Sequence, residues 1–433
     1  MKNPLKKMVR CWFKPATLLC VIAASARGDE ITDWNQIMFQ AARTAVPPTS
    51  PGNITRVAAI VQTSVFDAVN GIERRYTHVR VQPNAPPGAS KRAAAVQAAY
   101  ASLVRLYPSQ TATFDLRRGI SLAAISSAAA EENSQSIARG IEWGQTVADE
   151  IWIWRLGDGF SAIFAPFTGG SAVGQWRPTP PANAPGIGLN FRGQTPWVLT
   201  TPSQFRPAGP PALNSAQYAA EFNETKTMGK STSLTRTADQ TLYSGFWAAS
   251  TSSYYFNEVA VGLAAERHLT LSETSRLLAL VNIASADATI GCFDAKYEYV
   301  FWRPVTAIPL AATDGNAATD ADASWAPLLV TPAHPEYPSG HSCQSGAAGR
   351  VLANFFGDNT SFSLGSDVML GVTRSFTSFS AALDEVKNAR VYAGIHFRAA
   401  CDDGQILGIQ VADFAMNNFL LPLHGDSVGQ LHK

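Results

Sequence analysis

Three short stretches of this chain carry the residue types of an oxyanion site. The middle one is Pro338-Ser339-Gly340-His341, inside the proline-rich run from Thr331 to Cys343. Its prolines hold the approach extended, and Ser339 and Gly340 then open a helix expected over 341–356. A helix start presents unpaired backbone N–H groups and a partial positive charge, which suits an oxyanion. Gly340 lets backbone come close to the anion, and the Ser339 hydroxyl adds a donor. His341, on the first turn, is placed to exchange a proton with whatever is bound. Taken alone, the tetrapeptide also reads as a turn and an N-cap with a solvated histidine.

The flanking stretches supply charge. Lys296 and Arg303 are seven residues apart, almost two turns, and are expected on one face of a helix that Pro304 ends. Downstream, Arg390 and His396 are joined through a bend at Gly394. Singly, each cation also reads as a surface or ion-paired residue. A dianion or trianion withdrawn from water needs several such charges and fork-shaped donors together. In this order the three stretches resemble the signature shared by vanadium-dependent haloperoxidases and the type 2 phosphatidic acid phosphatases, and the bacterial haloperoxidase-like branch in particular. The resemblance is carried by Lys296 to His396.

That resemblance implies a site residue by residue. His396 is the expected metal ligand, or the nucleophile toward phosphorus in a phosphatase, and His341 the acid/base. Lys296, Arg303, Ser339, Gly340 and Arg390 are expected to hold the oxyanion. The implied cofactor is vanadate, as V(V), with neither haem nor nucleotide. The implied reaction oxidises halide with hydrogen peroxide to hypohalous acid, Lys296 polarising the peroxide, and the product halogenates an organic acceptor. The alternative is a secreted acid phosphatase acting on a phosphate ester through a phosphohistidine on His396. A non-catalytic oxyanion-binding protein would keep the charges but leave two histidines without a task.

Two positions depart from the family pattern. Ala389 stands where a serine is usual before the arginine. Ala400 stands where an aspartate is usual after the histidine, with Asp402 and Asp403 just beyond. Loss of a carboxylate that orients the nucleophilic histidine weighs against the phosphatase, unless a helical shift lets Asp402 substitute. His334 occupies the place where resembling bromoperoxidases carry histidine and fungal chloroperoxidases phenylalanine. It implies a preference for bromide and iodide over chloride, and reads otherwise as an exposed loop imidazole.

The elements that must position these residues are helices. Periodicity predicts them over 31–45, 53–71, 92–106, 111–130, 131–156, 215–228, 237–248, 253–267, 270–303, 341–356, 378–393 and 399–420, with strand signals almost absent. The class is mainly α, with no internal repeat apparent, and the resemblance implies a pair of packed four-helix bundles. Residues 157–211 are rich in Gly and Pro but carry Trp176, Phe191 and Trp197, which reads as a long ordered excursion packed on the helices. An N-terminal helical region, 27–230, and a C-terminal bundle bearing the site, 231–433, are expected to form one compact unit.

Residues 1–26 read as a secretory signal peptide: Lys2, Lys6, Lys7, Arg10 and Lys14, an apolar stretch, then Ala24-Ser25-Ala26. Its removal takes the net charge from +1 to −4. There is no polybasic block for nucleic acid, and no stable membrane anchor is expected. The product is expected to be exported, periplasmic or secreted. Cys292, Cys343 and Cys401 remain after cleavage; in an oxidising compartment Cys343 and Cys401 are the expected couple, and otherwise all three are small buried side chains.

Overall fold

A computed structural model describes residues 29–128 and 132–423; the signal-peptide stretch lies outside them. Helices dominate. The first half contains α1 (Glu30–Thr44), α2 (Asn53–Glu73), α3 (Lys91–Leu106), α4 (Thr111–Ala128) and α5 (Ser134–Leu156). The excursion follows, with only the short α6 (Leu189–Arg192) in it. Then come α7 (Ala216–Met228), α8 (Ala238–Ala249), α9 (Ser252–Glu266), α10 (Leu271–Tyr299), α11 (Pro304–Ala307) and α12 (Gly340–Phe356). The hairpin β1 (Phe362–Gly365) and β2 (Thr373–Phe376), antiparallel, precedes α13 (Phe379–Tyr392) and α14 (Arg398–Asn418). That hairpin was not visible as a strand pattern, because its four-residue strands alternate too briefly.

Side-chain caps set the starts the sequence suggested. Thr237 and Thr270 form full capping boxes with Gln240 and Glu273, and Ser90, Ser215, Ser339 and Ser378 each accept from an N–H in the first turn. One boundary is corrected. α10 does not reach Pro304: it stops at Tyr299, where Val300 takes a left-handed conformation (φ 48°). Arg303 therefore lies in extended chain as the N-cap of α11 rather than on the Lys296 face of one helix.

α10 is the axis of the molecule. It packs on α2, α12 and α14, and the largest apolar core runs continuously from α1–α3 through it to α12–α14. Among the described residues it alone has the length and hydropathy of a membrane span, and that stretch is entirely buried within the protein. The excursion packs as expected: Trp176, Phe191 and Trp197 are buried, and Asp287 of α10 accepts from the N–H groups of Trp197, Val198 and Leu199.

The structure also reveals a repeat that the sequence concealed. Arg56, Ala59, Val61, Gln62, Asp67, Ala68 and Gly71 of α2 recur at the same spacing in α10 as Arg276, Ala279, Val281, Asn282, Asp287, Ala288 and Gly291. Their contacts recur too. Gln62 donates to Asn35 of α1 and Asn282 pairs with Asn257 of α9, each at 2.9 Å. Asp67 gathers the N–H groups of Val79, Arg80 and Val81, as Asp287 gathers those of 197–199. α5 packs on α3 through Gly140 and Gly144, and α14 on α12 through Gly404 and Gly408, where a Cβ would meet carbonyl oxygens of the partner helix at 2.2–2.9 Å.

Candidate active site

The site assembles where α10, the loop before α12 and the turn between α13 and α14 meet. Lys296 leaves α10 in its last turn and donates to the carbonyls of Pro335, Glu336 and Pro338, so its three N–H groups clamp the proline-rich loop. Tyr337 fastens the loop from the other side by donating to Asp403 at 2.6 Å. The loop then delivers Ser339 as N-cap of α12, and the Ser339 N–H is tied to the Ala400 carbonyl at 2.7 Å. Ser339 Oγ accepts weakly from the Ser342 N–H at 3.4 Å, which leaves its hydroxyl proton available. A Cβ built on Gly340 would meet nothing within 4 Å, so space lies open over the helix start.

Arg303 ties the parts together. Its Nη1 donates to the Ile395 carbonyl at 2.7 Å and to His396 Nε2 at 3.1 Å; its Nε and Nη2 donate to the carbonyl and Nδ1 of His334, both at 2.9 Å. Since an arginine only donates, His396 Nε2 presents a lone pair and its proton sits on Nδ1. That Nδ1–H faces Glu336 Oε1 at 2.9 Å, and the same oxygen accepts from the Phe397 N–H at 2.9 Å. His396 is in turn carried by the left-handed bend at Gly394 (φ 77°), where a side chain would strike the Gly229 carbonyl.

Arg390, in the last turn of α13, is 3% exposed, and its Nε and Nη1 have no hydrogen-bond partner within the protein. Lys296 and Arg303 are wholly buried, as is Glu336, whose carboxyl group acts on both electrostatically. Burial pushes the Lys296 ammonium down to about 8 and both guanidinium groups down to about 10. It pushes Glu336 up to about 8, against the pull of Arg303. Burial and the neighbouring cations hold the imidazoles of His334, His341 and His396 well below their usual range, so all three are neutral at pH 7. The half-buried His341 sits on the first turn of α12, with Arg390 among the charges that depress it.

The structure thus brings Lys296, Arg303, His334, Ser339, Gly340, His341, Arg390 and His396 into one cleft. His334 is no free loop side chain: besides its Arg303 bonds, its ring lies 5.4 Å from that of Phe293. The excursion closes this side of the cleft. Ile187 donates its N–H to the Ala333 carbonyl and accepts from the Tyr297 hydroxyl. Gly188 rides directly on the Phe293 ring, with φ 79°.

Three expectations are corrected. Asp402 does not substitute for the missing aspartate: it pairs with Lys387 at 3.1 Å, on the outer side of α14. The carboxyl group that sequence reasoning found lacking comes from Glu336, two residues before Pro338. The only signal for it was an acidic residue inside an otherwise apolar, proline-rich approach. Cys343 and Cys401 are not coupled; all three cysteines are free and buried. Cys292, one turn before Lys296 on α10, is the cysteine that faces Cys343, because α10 packs on the start of α12.

Known proteins resemble this chain in sequence and in shape. A family model described as the VCPO second helical-bundle domain matches residues 276–425, which carry every part of the cleft except the excursion. The vanadium chloroperoxidase of Curvularia inaequalis is 29% identical over 219 residues, covering 41% of this chain and 35% of that protein. The match therefore spans only about a third of the curated relative's length. The crystal structure of a bacterial vanadium-dependent iodoperoxidase superposes with a TM-score of 0.79 at 28% identity, covering 91% of this chain and 98% of that one. The holo form of a bacterial vanadium-dependent chloroperoxidase shares the fold, with a TM-score of 0.67 at 18% identity over 89% and 96% of the two chains.

Proposed function

We propose, from the premise that this chain belongs to the vanadium haloperoxidase superfamily, that it is a vanadate-dependent haloperoxidase using hydrogen peroxide to oxidise iodide and bromide in preference to chloride. The observation that carries this reading is Arg390. A buried guanidinium with two unpartnered nitrogens is costly unless an anion completes it. Three buried cations stand against one buried carboxyl group, beside an open helix start. Vanadate fits these donors. His396 Nε2 would be its ligand; Arg390, Arg303, the Ser339 hydroxyl and the first N–H groups of α12 would hold its oxygens, and Lys296, its three N–H groups committed to the loop carbonyls, would add only its charge. Bound there, it would supply a Lewis-acidic V(V) centre that makes peroxide electrophilic toward halide.

The chain's own residues do the rest. Both protons of Arg303 Nη1 are engaged, one on His396 Nε2, so ligation at Nε2 frees that proton for the anion. Glu336 keeps the opposite edge of the ring protonated. The neutral imidazole of His341 would accept a proton from incoming hydrogen peroxide and pass it to the oxygen that leaves as water. His334 and Phe293 wall the approach. An imidazole there, with Arg303 on one nitrogen, keeps the site more hydrated than a phenyl ring would, which suits the more easily oxidised halides. The relative with the highest structural similarity cited above is an iodoperoxidase, which supports the same preference.

Purified protein loaded with vanadate tests the reading. Peroxide-dependent halogenation is expected with iodide and bromide and only weakly with chloride, with little phosphate released from an ester by the same preparation. Stoichiometric vanadate binding without halogenation, or phosphate release as the dominant activity, overturns it. We propose further that the chain is exported and loses residues 1–26; intact-mass measurement of protein from its own cells would find the N-terminus near Arg27.

A further inference from the structure

Around His396 one contact has no counterpart in the motif that marks the family resemblance. The position expected to bear an orienting carboxylate is Ala400, and the two nearby aspartates are committed elsewhere, Asp402 to Lys387 and Asp403 to the Tyr337 hydroxyl. Glu336 fills the gap from a different segment of the chain. Its Oε1 accepts from His396 Nδ1–H and from the next residue's N–H, both at 2.9 Å, so it grips the ring and its backbone together. Its Oε2 has no partner within the protein, which directs the group's hydrogen bonding to His396 and Phe397 alone.

Glu336 is itself held on every side. Its N–H donates to the Phe301 carbonyl at 2.9 Å, its own carbonyl accepts from Lys296 at 3.0 Å, and the side chain is wholly buried. A histidine whose Nδ1–H is anchored to an acceptor has one tautomer and one ring orientation, and its Nε2 becomes the better electron-pair donor.

Resting on the haloperoxidase reading for the identity of the anion, we infer that Glu336 is the positioning residue for His396, replacing the carboxylate absent at Ala400 and fixing the Nδ1–H tautomer that leaves the lone pair on Nε2 for the anion. Lys296, by clamping the carbonyls on either side of Tyr337, then serves the same end from the backbone.

Two measurements separate this role from mere packing. The first is the tautomer of His396 in metal-free protein, read from ¹⁵N-histidine NMR shifts, with the resonance assigned by its loss in His396→Ala. The second is the vanadate dissociation constant by equilibrium dialysis. In wild type the Nδ1–H tautomer is expected. Glu336→Gln retains a carbonyl acceptor, so it should keep that tautomer and bind vanadate within about tenfold of wild type. Glu336→Ala should populate the Nε2–H tautomer and bind roughly 10–100-fold more weakly. An Ala variant with wild-type tautomer and affinity overturns the inference, as does a Gln variant no better than Ala. If the Ala variant does not fold, the Gln spectrum decides: an Nε2–H tautomer there overturns it. A wild type that shows the Nδ1–H tautomer but binds no vanadate sinks the haloperoxidase reading and leaves the Glu336 assignment standing.

Discussion

The start of α3 and the start of α12 are the same joint built twice. In each, a serine N-cap donates its own N–H to a carbonyl at the head of the following bundle helix: Ser90 to Ser136 at 2.9 Å, Ser339 to Ala400 at 2.7 Å. In each, two glycines four residues apart let that helix sit directly on the capped one. The residues after the cap differ. α3 continues with Lys91 and Arg92, and every polar group there is already matched by a carboxylate: Ser90 by Glu132, Lys91 by Glu73, Arg92 by Glu30. α12 continues with Gly340 and His341, and Arg390 is left without a carboxylate.

The axial helices differ in length as well. α2 has 21 residues and α10 has 29; aligned through their shared positions, α10 runs on past the end of α2 over residues 294–299, and this extension carries Lys296 to the level of the cleft. On the function proposed above, the difference between the two joints is that one withholds carboxylates from its cations and so leaves them for an anion. Where they are supplied, the same joint is only structural.

His396→Ala should break the distinction outright. With the proposed Nε2 ligand removed, vanadate binding and halogenation should vanish while the melting temperature stays near wild type. Arg92→Ala, at the matching joint, should leave both intact. Vanadate bound normally by His396→Ala would remove that residue from the ligand role. A smaller effect is expected of His341→Ala: vanadate is retained, and turnover falls roughly 10²–10⁴-fold, as for loss of a general acid/base. A variant that fails chiefly through weak vanadate binding would assign His341 to the anion shell instead.

The glycine pairs sharpen the comparison by matched substitution. A Cβ at Gly144 would meet the Ala94 carbonyl at 2.3 Å, and one at Gly408 the Cys343 carbonyl at 2.2 Å. Gly144→Ala and Gly408→Ala should each cost about 1–3 kcal/mol in urea denaturation, as overpacking does. Only Gly408→Ala should also weaken vanadate, because it shifts the helix start that faces the anion. Equal losses of affinity would mean that the two joints are mechanically coupled through α10. The smallest effect is that of His334→Phe. It should raise the chloride-to-bromide ratio of specificity constants by about tenfold or less, on the order of 1 kcal/mol in relative barrier. An unchanged ratio would leave His334 as a partner of Arg303 and nothing more.

By itself, the sequence determined the helical class, most helix starts and the identity of the cleft residues. These rest on local rules: apolar periodicity, serine and threonine caps, proline and glycine stops, and short motifs whose residues are neighbours in the chain. Tertiary structure alone decided which charges are balanced. Arg390 and Arg92 are both arginines on helices, and only packing leaves one unpaired and gives the other a glutamate. It decided where Arg303 points, because a left-handed Val300 breaks the helix that spacing had extended to it. It decided the repeat, since a handful of shared positions in α2 and α10 are too sparse to stand out until their hydrogen bonds coincide. It also found Glu336, whose partner His396 is 60 residues away. No periodicity links two such positions; only the folding of the proline-rich loop against the α13–α14 turn does, where burial makes each remaining hydrogen bond obligatory.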